Sequence, residues 1–434
     1  MGFSNQFFRA IGVQFEDRKS LKNFASKIGV PLSRLRYYNE KNILPTGADL
    51  EAVINETGIS ELELMLKMGR LDRNILEVLQ NKADLIMPIL NTQNVNTGSD
   101  RISAELTFQT DLGNLYQGDC LSLMEEIASD SIDLIFADPP FNLNKLYPSN
   151  INDSLKTERY IHWCQDWLRE CVRVLKNGGS FFLWNLPKWN AIFTDYLGGR
   201  LNFRHWIAVD IKYSLPIQGR LYPSHYSLLY YIKGERPNVF HPDRLPMSIC
   251  PHCYRDLKDY GGYKDKMNPK GVNITDVWLD IPPVRHAKYK RRISANELSL
   301  KLLDRIIEMS SDVGDIILDP FGGSGTTYMA AELKGRKWLG VEISPTDDII
   351  ERFSRIDEER KILENYRNNM NALFTKETHK KRVSLGLWTS ETFKDSNQQQ
   401  DDDEHKQGTI DFDSSKLTSP SGQNEVTFVL ESDG

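Results

Sequence analysis

"DIILDPFGGSGTTYMAAE" occupies residues 315–332, and a second apolar run, "KWLGVEIS", follows at residues 337–344. The first run ends at Asp319, passes through Phe321 into a glycine-rich turn, and continues into a helix-forming segment near Thr326. A strand, a tight turn, a helix and a second strand in this order predict a βαβ unit of a mainly parallel sheet. Glycines allow a ligand to approach the backbone closely, and a helix N-terminus offers free N–H groups. The stretch therefore predicts a ligand site at the carboxyl end of its first strand.

The second strand of this unit ends in Glu342, about 20 residues after the turn, where an acidic side chain is placed to bind a ribose diol. The turn is not a G-x-G-x-x-G sequence, and no lysine follows it as in a phosphate-binding loop. A nucleoside cofactor without a pyrophosphate therefore fits this pattern better than NAD or ATP.

A second Asp-Pro-Phe strand end stands earlier in the chain, in "SIDLIFADPPFN", residues 131–142. The amino group of a nucleic-acid base is a poor nucleophile because its lone pair is delocalised into the ring. The Asp138 carboxylate and the Pro139 carbonyl can accept its two hydrogens, and the two prolines fix the geometry. Phe141 can stack on a base that has left the duplex. The alternative for this motif is a strand-end turn with a capping aspartate.

Taken together, "DPPF" and "DPFGGSGTT" resemble the β group of DNA amino-methyltransferases, in which the catalytic motif precedes the cofactor motif. The resemblance covers about residues 108–360. It also includes "YQGDCLSLMEEIASDSIDLIFADPPF", "CVRVLKNGGSFFLWN", "SHYSLLYYIKG" and "SANELSLKLLDRIIEMSSDVGD". It implies methyl transfer from S-adenosylmethionine to adenine N6 or cytosine N4 of double-stranded DNA. The residues that it places at catalysis are Asp138, Pro139, Pro140 and Phe141. The residues that it places at the cofactor are Asp119, Asn296, Asp319, Phe321, Gly323, Gly325 and Glu342.

The predicted fold class is α/β, a Rossmann-like methyltransferase fold with a mixed sheet. The strand candidates are SIDLIFAD, GSFFLWN, HWIAVDIKY, HYSLLYYIK, DIILDP and KWLGVEIS, of which HWIAVDIKY and HYSLLYYIK read as an antiparallel pair. Helices are expected at 160–175, 296–310 and, as one long helix, 345–373. The domain prediction is a small all-α domain at 1–70, a linker at 71–107, the methyltransferase domain at 108–375, and a disordered acidic tail at 376–434.

Residues 18–70 predict short helices with the build of a helix-turn-helix. Leu21, Phe24, Ala25 and Ile28 recur at helical spacing, Gly29 ends that helix, and Ser33 can cap the next one. Arg34 and Arg36 on this second helix are candidate DNA contacts. A packing or dimerisation module without DNA contacts is the alternative.

The densest basic run, "VRHAKYKRR" at residues 284–292, lies inside the stretch 234–292, where the resemblance places target recognition. Arg285, Lys288, Lys290, Arg291 and Arg292 are therefore candidate contacts to the DNA backbone. The same stretch holds "CPHC". Cys250 and Cys253 have half of the spacing of a zinc site, and no second cysteine pair follows, so the sequence favours two unpaired thiols over a metal site.

Composition limits the class of protein. The chain has 434 residues and a net charge of −6, and the predicted tail holds 12 Asp or Glu against 7 Lys or Arg. No stretch approaches a membrane span, and five scattered cysteines favour a reducing compartment, so we expect a cytoplasmic protein. The polar and acidic composition of the predicted tail indicates a solvated segment. A cognate restriction endonuclease and a homodimer are further partners that the sequence leaves open.

The leading functional prediction is an adenine-N6 DNA methyltransferase, because the resemblance associates an aspartate at the head of the proline motif with adenine. A cytosine-N4 enzyme stays open. A helix-turn-helix transcriptional regulator with an inert methyltransferase-like body is the alternative from a different class. The intact Asp138, Pro139, Phe141 and Glu342 speak against it.

Overall fold

The structure is a computed structural model. It describes residues 6–13, 18–41, 43–69, 73–82, 85–86, 102–142, 155, 157–211, 216, 218–219, 221–259, 268–282, 297–368 and 370–392. The helices of these residues are α1 (Gln6–Ala10), α2 (Arg18–Ile28), α3 (Leu32–Lys41), α4 (Ala48–Thr57), α5 (Glu61–Lys67), α6 (Arg73–Asn81), α7 (Cys120–Glu126), α8 (Thr157–Val174), α9 (Pro187–Gly198), α10 (Leu300–Ser310), α11 (Thr326–Leu333), α12 (Asp347–Phe353), α13 (Ile356–Arg367) and α14 (Lys376–Ser384).

Nine strands form one mixed sheet in the spatial order β1-β2-β11-β10-β3-β4-β6-β5-β9. They are β1 (Glu105–Gln109), β2 (Gly113–Gln117), β3 (Ile132–Ala137), β4 (Leu175–Asn185), β5 (Asn202–Asp210), β6 (His225–Ile232), β9 (Val277–Trp278), β10 (Ile316–Asp319) and β11 (Lys337–Glu342). A separate antiparallel pair joins β7 (Arg244–Leu245) to β8 (Val272–Asn273). The five adjacent strands β2, β11, β10, β3 and β4 run parallel to one another. Strand β6 is antiparallel to both β4 and β5. The predicted α/β class, with a mixed sheet, is confirmed.

The sheet is buried on both faces because its central strands are apolar at nearly every position. In β3, Leu134 and Phe136 pack on the face covered by α10 and α11. Ile135 and Ala137 pack on the opposite face, against α7, α8 and α9. Successive side chains of a strand point to opposite faces, so a continuous apolar run is what a central strand between two helical layers requires.

The connections of β3 and β10 diverge. The chain leaves β10 through α11 for β11 on one side, and leaves β3 through α8 for β4 on the other. Because β3 and β10 are neighbours, their carboxyl ends flank a crevice at the point where the winding reverses. Ligands of open α/β sheets bind at such a point.

All six predicted strands are present, while several other sequence predictions need correction. The predicted linker 71–107 contains α6 and the start of β1. The single helix expected over 345–373 is two helices, because the chain turns at Ser354 and Arg355 between α12 and α13. The helix expected at 296–310 begins at Leu300, with Ser299 as its cap.

The predicted disordered tail also starts too early. Residues 376–384 form α14, and Arg382 on this helix is buried, with its guanidinium stacked on Phe374 and Trp388. Arg382 is long enough to bury its stem while its charged head finds polar partners, which composition alone does not reveal. The part of the predicted tail from 393 to 434 lies outside the described residues.

The amino-terminal helices α1 to α5 enclose a small core of their own, which includes Phe7, Leu21, Leu35, Val53 and Leu64. Gly29, with φ of 67°, ends α2 as expected. Ser33 does not cap α3, because α3 already begins at Leu32 and the N–H of residue 34 bonds to the carbonyl of Pro31.

Candidate active site

The acidic residues singled out in the sequence meet at one edge of the sheet. Asp138 directly follows β3, Asp319 ends β10 and Glu342 ends β11. These three strands are parallel neighbours, so their carboxyl ends lie side by side. The structure therefore brings the two Asp-Pro-Phe sites into one cleft.

The glycine-rich turn after β10 is fixed to the end of β11 by its backbone. Gly322 N donates to Val341 O (2.9 Å), and Gly323 N donates to Glu342 Oε2 (2.7 Å). Gly323 has φ of 51°, a left-handed conformation in which a side chain is strained. A Cβ at Gly323 would meet nothing nearer than the carbonyl oxygen of Phe321 at 3.8 Å. The turn thus leaves open space directly above its backbone.

Glu342 holds the glycine turn and the Asp119 loop together. Its Oε1 accepts from Ser344 N (2.9 Å), and its carbonyl accepts from Gly118 N (3.0 Å). Asp119, next in the chain, caps α7 by accepting from Leu121 N (2.8 Å). Each carboxylate oxygen has two lone pairs, so Glu342 can still accept hydrogen bonds from a ligand.

Asp319 is the most enclosed carboxyl of the cleft, 2% exposed. Its Oδ1 accepts from Phe321 N (3.0 Å) and its Oδ2 from Thr327 Oγ1 (2.5 Å). Burial raises the pKa of Asp319 to about 7, Glu342 adds to the rise, and the bonds from Thr327 and Phe321 oppose it. Asp319 therefore ties the turn to the first turn of α11.

The ring of Phe321 packs away from the glycines, edge-on to Trp163 and Trp167 of α8, with ring centroids 5.8 and 5.0 Å apart. Gly325 is the residue before α11, with φ of 72°, and a Cβ there would collide with Ile349. Both residues shape the turn. Their contact with a cofactor stays a prediction.

The proline motif after β3 is held by residues that the sequence analysis did not single out. Tyr160 donates its hydroxyl to Pro140 O (2.7 Å), and Trp189 donates Nε1 to Phe141 O (2.7 Å). Both side chains come from helices, α8 and α9, and nothing in the local sequence marks them as partners of residues far away in the chain. Only the packing of the helices against β3 reveals them.

Asp138 contrasts with its neighbours. It is half-buried, and no described residue donates a hydrogen bond to its carboxylate or to the Pro139 carbonyl. Burial raises the pKa of Asp138 well above its usual range, and the charge of Asp319 adds to the rise. The Asp138 carboxylate can therefore accept a hydrogen bond from a ligand, whereas the carbonyls of Pro140 and Phe141 each already accept one from the protein.

Phe141 faces an aromatic group. Its ring lies 6.3 Å from that of Tyr226, which in turn lies 4.8 Å from Trp184. Burial, with a smaller effect of Asp138, raises the pKa of Tyr226, so the phenol stays neutral. The sequence analysis missed Tyr226, although its strand β6 was expected.

The predicted DNA contacts divide into two groups. Arg285, Lys288, Lys290, Arg291 and Arg292, together with the cofactor candidate Asn296, lie outside the described residues. Arg34 and Arg36 are exposed on α3, and Arg34 donates to Asp49 of α4 (3.0 Å). Their contact with DNA stays a prediction, and for Arg34 such a contact competes with an existing ion pair.

Comparison with known proteins identifies the family of this chain. The sequence profile of the N6/N4 DNA methylases matches residues 132–348. The type II methyltransferase M.BamHI of Bacillus amyloliquefaciens is 46% identical over 377 residues, which is 86% of this chain and 88% of that protein. The chain belongs to the N6/N4 DNA methylase family. The DNA adenine methyltransferase YhdJ of Escherichia coli (strain K12) is 33% identical over 246 residues, 55% of this chain and 80% of that protein. The solved PvuII DNA methyltransferase, described as cytosine-N4-specific, aligns at 19% identity and a TM-score of 0.38 over 59% of this chain and 96% of that one.

Membership of this family makes the protein a DNA methyltransferase that uses S-adenosylmethionine. It goes against the alternative of a transcriptional regulator with an inert body. In the described part of the chain, every helix is too short or too polar to cross a membrane.

The acidic residues of the cleft suit S-adenosylmethionine. The cofactor carries a positive sulfonium and an ammonium group, which Glu342 and the carboxylate forms of Asp138 and Asp319 attract. Glu297 is a further acidic group close to α11. Its Oε2 is buried without a hydrogen bond from the described residues, and its Oε1 lies 3.8 Å from Arg352, which also bonds to Ser324 O. A carboxylate oxygen without a partner in this position suits a cationic ligand. Sequence reasoning missed Glu297, because nothing in the local sequence shows that its side chain is buried.

Proposed function

We propose that the protein methylates the exocyclic amino group of a base turned out of double-stranded DNA. The observation that supports this proposal is the contrast within the proline motif. Tyr160 and Trp189 bind the carbonyls of Pro140 and Phe141, and no described residue bonds to the Asp138 carboxylate. An acceptor that is held rigidly and left without a partner is suited to a donor supplied by the substrate.

Asp138 and Pro139 act on the amine. The Asp138 carboxylate and the Pro139 carbonyl each accept one amino hydrogen, which draws the nitrogen lone pair out of conjugation with the ring. The lone pair then attacks a methyl carbon, and the amine afterwards loses one proton, which Asp138 is placed to accept. S-adenosylmethionine, when bound, would supply the electrophilic methyl group, and its sulfur would keep the electron pair of the broken carbon–sulfur bond. Gly323, Glu342, Asp319 and Asp119 are the residues proposed to hold it.

The ionisation of Asp138 sets the pH dependence of this step. Only the carboxylate form can accept both a hydrogen bond and a proton. Because burial and Asp319 raise the pKa of Asp138, activity is expected to fall on acidification earlier than it would for an ordinary aspartate. A cationic cofactor beside Asp138 opposes this rise by favouring the carboxylate.

Adenine N6 is the first candidate for the target amine, because an aspartate heads the motif and the relative that is 33% identical is a DNA adenine methyltransferase. Cytosine N4 is the second, because it presents the same pair of hydrogens to Asp138 and Pro139. Phe141, beside Tyr226, is placed to stack on either base once it is extruded.

The decisive experiment incubates the protein and double-stranded DNA with S-adenosylmethionine labelled in its methyl group, and then digests the DNA to nucleosides. Labelled N6-methyladenine is the expected product. N4-methylcytosine would keep the proposed chemistry and correct the base. Label on a ring carbon, or no label on DNA that lacks prior modification, would contradict the proposal.

The biological role proposed is protection of DNA from a cognate restriction endonuclease, with target recognition in residues 234–292. Relatives named type II methyltransferases support this context. DNA that the protein has methylated should resist one endonuclease encoded beside its gene, and gel filtration will show whether the enzyme acts as a monomer or a homodimer.

The amino-terminal domain is proposed to bind DNA as an accessory or regulatory module. Arg36 is exposed and forms no ion pair with a described residue, so it is the stronger of the two arginine candidates. Arg34→Gln with Arg36→Gln should lower DNA affinity at low salt without changing the methylated sequence. Equal binding by the double variant and the wild type on all DNA tested would favour a packing module.

A further inference from the structure

The segment "CPHC" folds into a compact turn that collects three metal-ligating groups. Sγ of Cys250, Sγ of Cys253 and a carboxylate oxygen of Asp256 all lie within 4.8 Å of one another. The sequence favoured two unpaired thiols because it showed no second cysteine pair. It could not show that the turn would bring a carboxylate to the same point.

Hydrogen bonds within the turn bring its two ends together. Cys253 Sγ donates to Asp256 Oδ2 (3.4 Å), so the second thiol and the carboxylate already face each other. Tyr254 adopts a left-handed conformation with φ of 55°, and its N–H bonds to Cys250 O (3.0 Å). Cys250 N bonds in turn to Asp256 O (2.8 Å), which closes the loop.

We propose that Cys250, Cys253 and Asp256 bind one zinc ion per chain, with water as the fourth ligand. Two thiolates and a carboxylate form a donor set that zinc accepts, and the Cys-x-x-Cys spacing is common in zinc sites. Zinc–sulfur bonds are about 2.3 Å long, so two sulfurs within 4.8 Å of each other need only a small adjustment.

Partial exposure of the cysteines agrees with a site of this kind. Cys250 and Cys253 are half-buried, whereas Cys120, Cys164 and Cys171 are buried among apolar side chains. Burial raises the pKa of Cys164 well above that of an ordinary thiol, so the core thiols are poor ligands. The two sulfurs of the turn are therefore the ones accessible to an ion from solvent.

The ion would add to the contacts that hold this turn. Residues 249 and 257 form a single isolated bridge, and Lys258 N bonds to Ser248 O (2.9 Å). Arg382, buried on α14, donates to the carbonyl of Tyr254. A zinc ion at the tip would thus fasten part of the proposed recognition region to the carboxyl-terminal helix, as a metal does in small folds with little core.

The first test measures metal directly. Full-length protein, purified without chelators, is analysed for zinc by mass spectrometry, and cobalt(II) is titrated into the metal-free protein. We expect about one zinc per chain and a cobalt–thiolate charge-transfer band. X-ray absorption should show two sulfur and two lighter neighbours. These readouts are independent of which base is methylated.

Variants then assign the ligands. Cys250→Ser, Cys253→Ser and Asp256→Asn should each weaken zinc binding by at least about tenfold. His252→Ala and Asp259→Asn remove a ligand-type side chain from the same segment and should retain the ion. Reversible loss of protection from hydrogen exchange at residues 248–258 on chelation would support the structural role.

Three results would overturn the proposal. The first is metal-free wild-type protein that gives no cobalt–thiolate band. The second is four sulfur neighbours with half an ion per chain, which means a site shared by two copies. The third is a Cys250–Cys253 disulfide, lighter by two hydrogens, in protein kept under reducing conditions.

Discussion

The two Asp-Pro-Phe strand ends share an aspartate, a proline and a phenylalanine and have opposite environments. At the end of β10, Asp319 is 2% exposed and bonded at both oxygens, and the ring of Phe321 is wedged against Trp163 and Trp167. At the end of β3, no described residue bonds to the Asp138 carboxylate, and Phe141 faces the aromatic ring of Tyr226.

The difference arises from the residues on the carboxyl side of each aspartate. After Asp319 the chain turns through glycines into α11, so Thr327 and the backbone of Phe321 reach the carboxylate. After Asp138 a second proline takes the position of Phe321, and a proline has no N–H to donate back to the aspartate. The aspartate is thus a brace at the end of β10, whereas at the end of β3 it is an acceptor without a partner among the described residues. Substitutions at the two strand ends can separate these roles.

The largest expected effect is that of Asp138→Ala. Removing the acceptor of the target amine should lower turnover by about 10²–10⁴-fold, while affinity for S-adenosylmethionine changes by less than about tenfold. Single-turnover methylation and calorimetry measure the two quantities. Asp195→Asn, which removes a carboxylate of α9, is the control and should leave both unchanged. Turnover above about a tenth of wild type would contradict the role of Asp138.

A smaller effect, on binding rather than turnover, is expected of Gly323→Val. The side chain would project into the open space above the glycine turn, so cofactor affinity should fall by at least about tenfold while the fold is kept. The left-handed backbone adds strain of about 1–2 kcal/mol. Gly58→Val is the matched control, since it has φ of 68° and open space but lies in the amino-terminal domain. If the two variants bind S-adenosylmethionine equally well, the glycine turn is not the cofactor site.

Asp319→Asn should give a pH-dependent stability difference. With a pKa raised to about 7, the folded state holds this proton more tightly than the unfolded chain does. Asp319 therefore stabilises fully only below the ordinary pKa of an aspartate, near 4, and this contribution is lost as the pH rises through about 7. The loss is on the order of 4 kcal/mol. Asparagine has no charge to bury, so the variant should gain a few degrees of melting temperature over wild type at pH 8, less at pH 5, and almost nothing below about pH 4.

Thermal melts of both proteins without cofactor, across this pH range, measure the difference, again with Asp195→Asn as the control. A difference that stays constant with pH would mean that Asp319 ionises normally. In that event Asp319 and Asp138 would be less distinct in environment than the structure indicates.

Sequence reasoning reached the strands and the strand ends at which the two motifs lie, because these depend on local patterns. Alternation of apolar runs with helical segments indicates a parallel sheet, and prolines or glycines after a strand constrain the backbone wherever the strand lies. The residues that hold the motifs could not be predicted from the sequence. Tyr160 and Trp189 act through contacts made only when α8 and α9 pack on β3, and neighbours in sequence carry no signal of such contacts.

The predicted ends of the helices and of the tail were wrong for a related reason. The helix break between α12 and α13 has no proline or glycine to mark it, and charged residues continue the helical pattern on both sides. α14 has almost no apolar face, so its composition reads as solvated, yet the stacking of Arg382 on two aromatic rings holds it in place. Cation–π contacts of this kind depend on tertiary placement and leave no periodic pattern in the sequence.

The smallest expected effect concerns the support of the proline motif rather than its acceptor. Tyr160→Phe removes the hydroxyl that binds Pro140 O and keeps the ring, which packs 4.6 Å from Trp189. Loss of one hydrogen bond of this kind costs about 0.5–1.5 kcal/mol, so the rate of methyl transfer should fall by up to about tenfold. Cofactor affinity should not change, because Tyr160 contacts the motif after β3 and not the glycine turn. Tyr196→Phe removes a hydroxyl bonded to a carbonyl of α8 away from the motif, so it is the matched control. A fall in cofactor affinity that matches the fall in rate would show that the two strand ends act as one unit rather than as brace and acceptor.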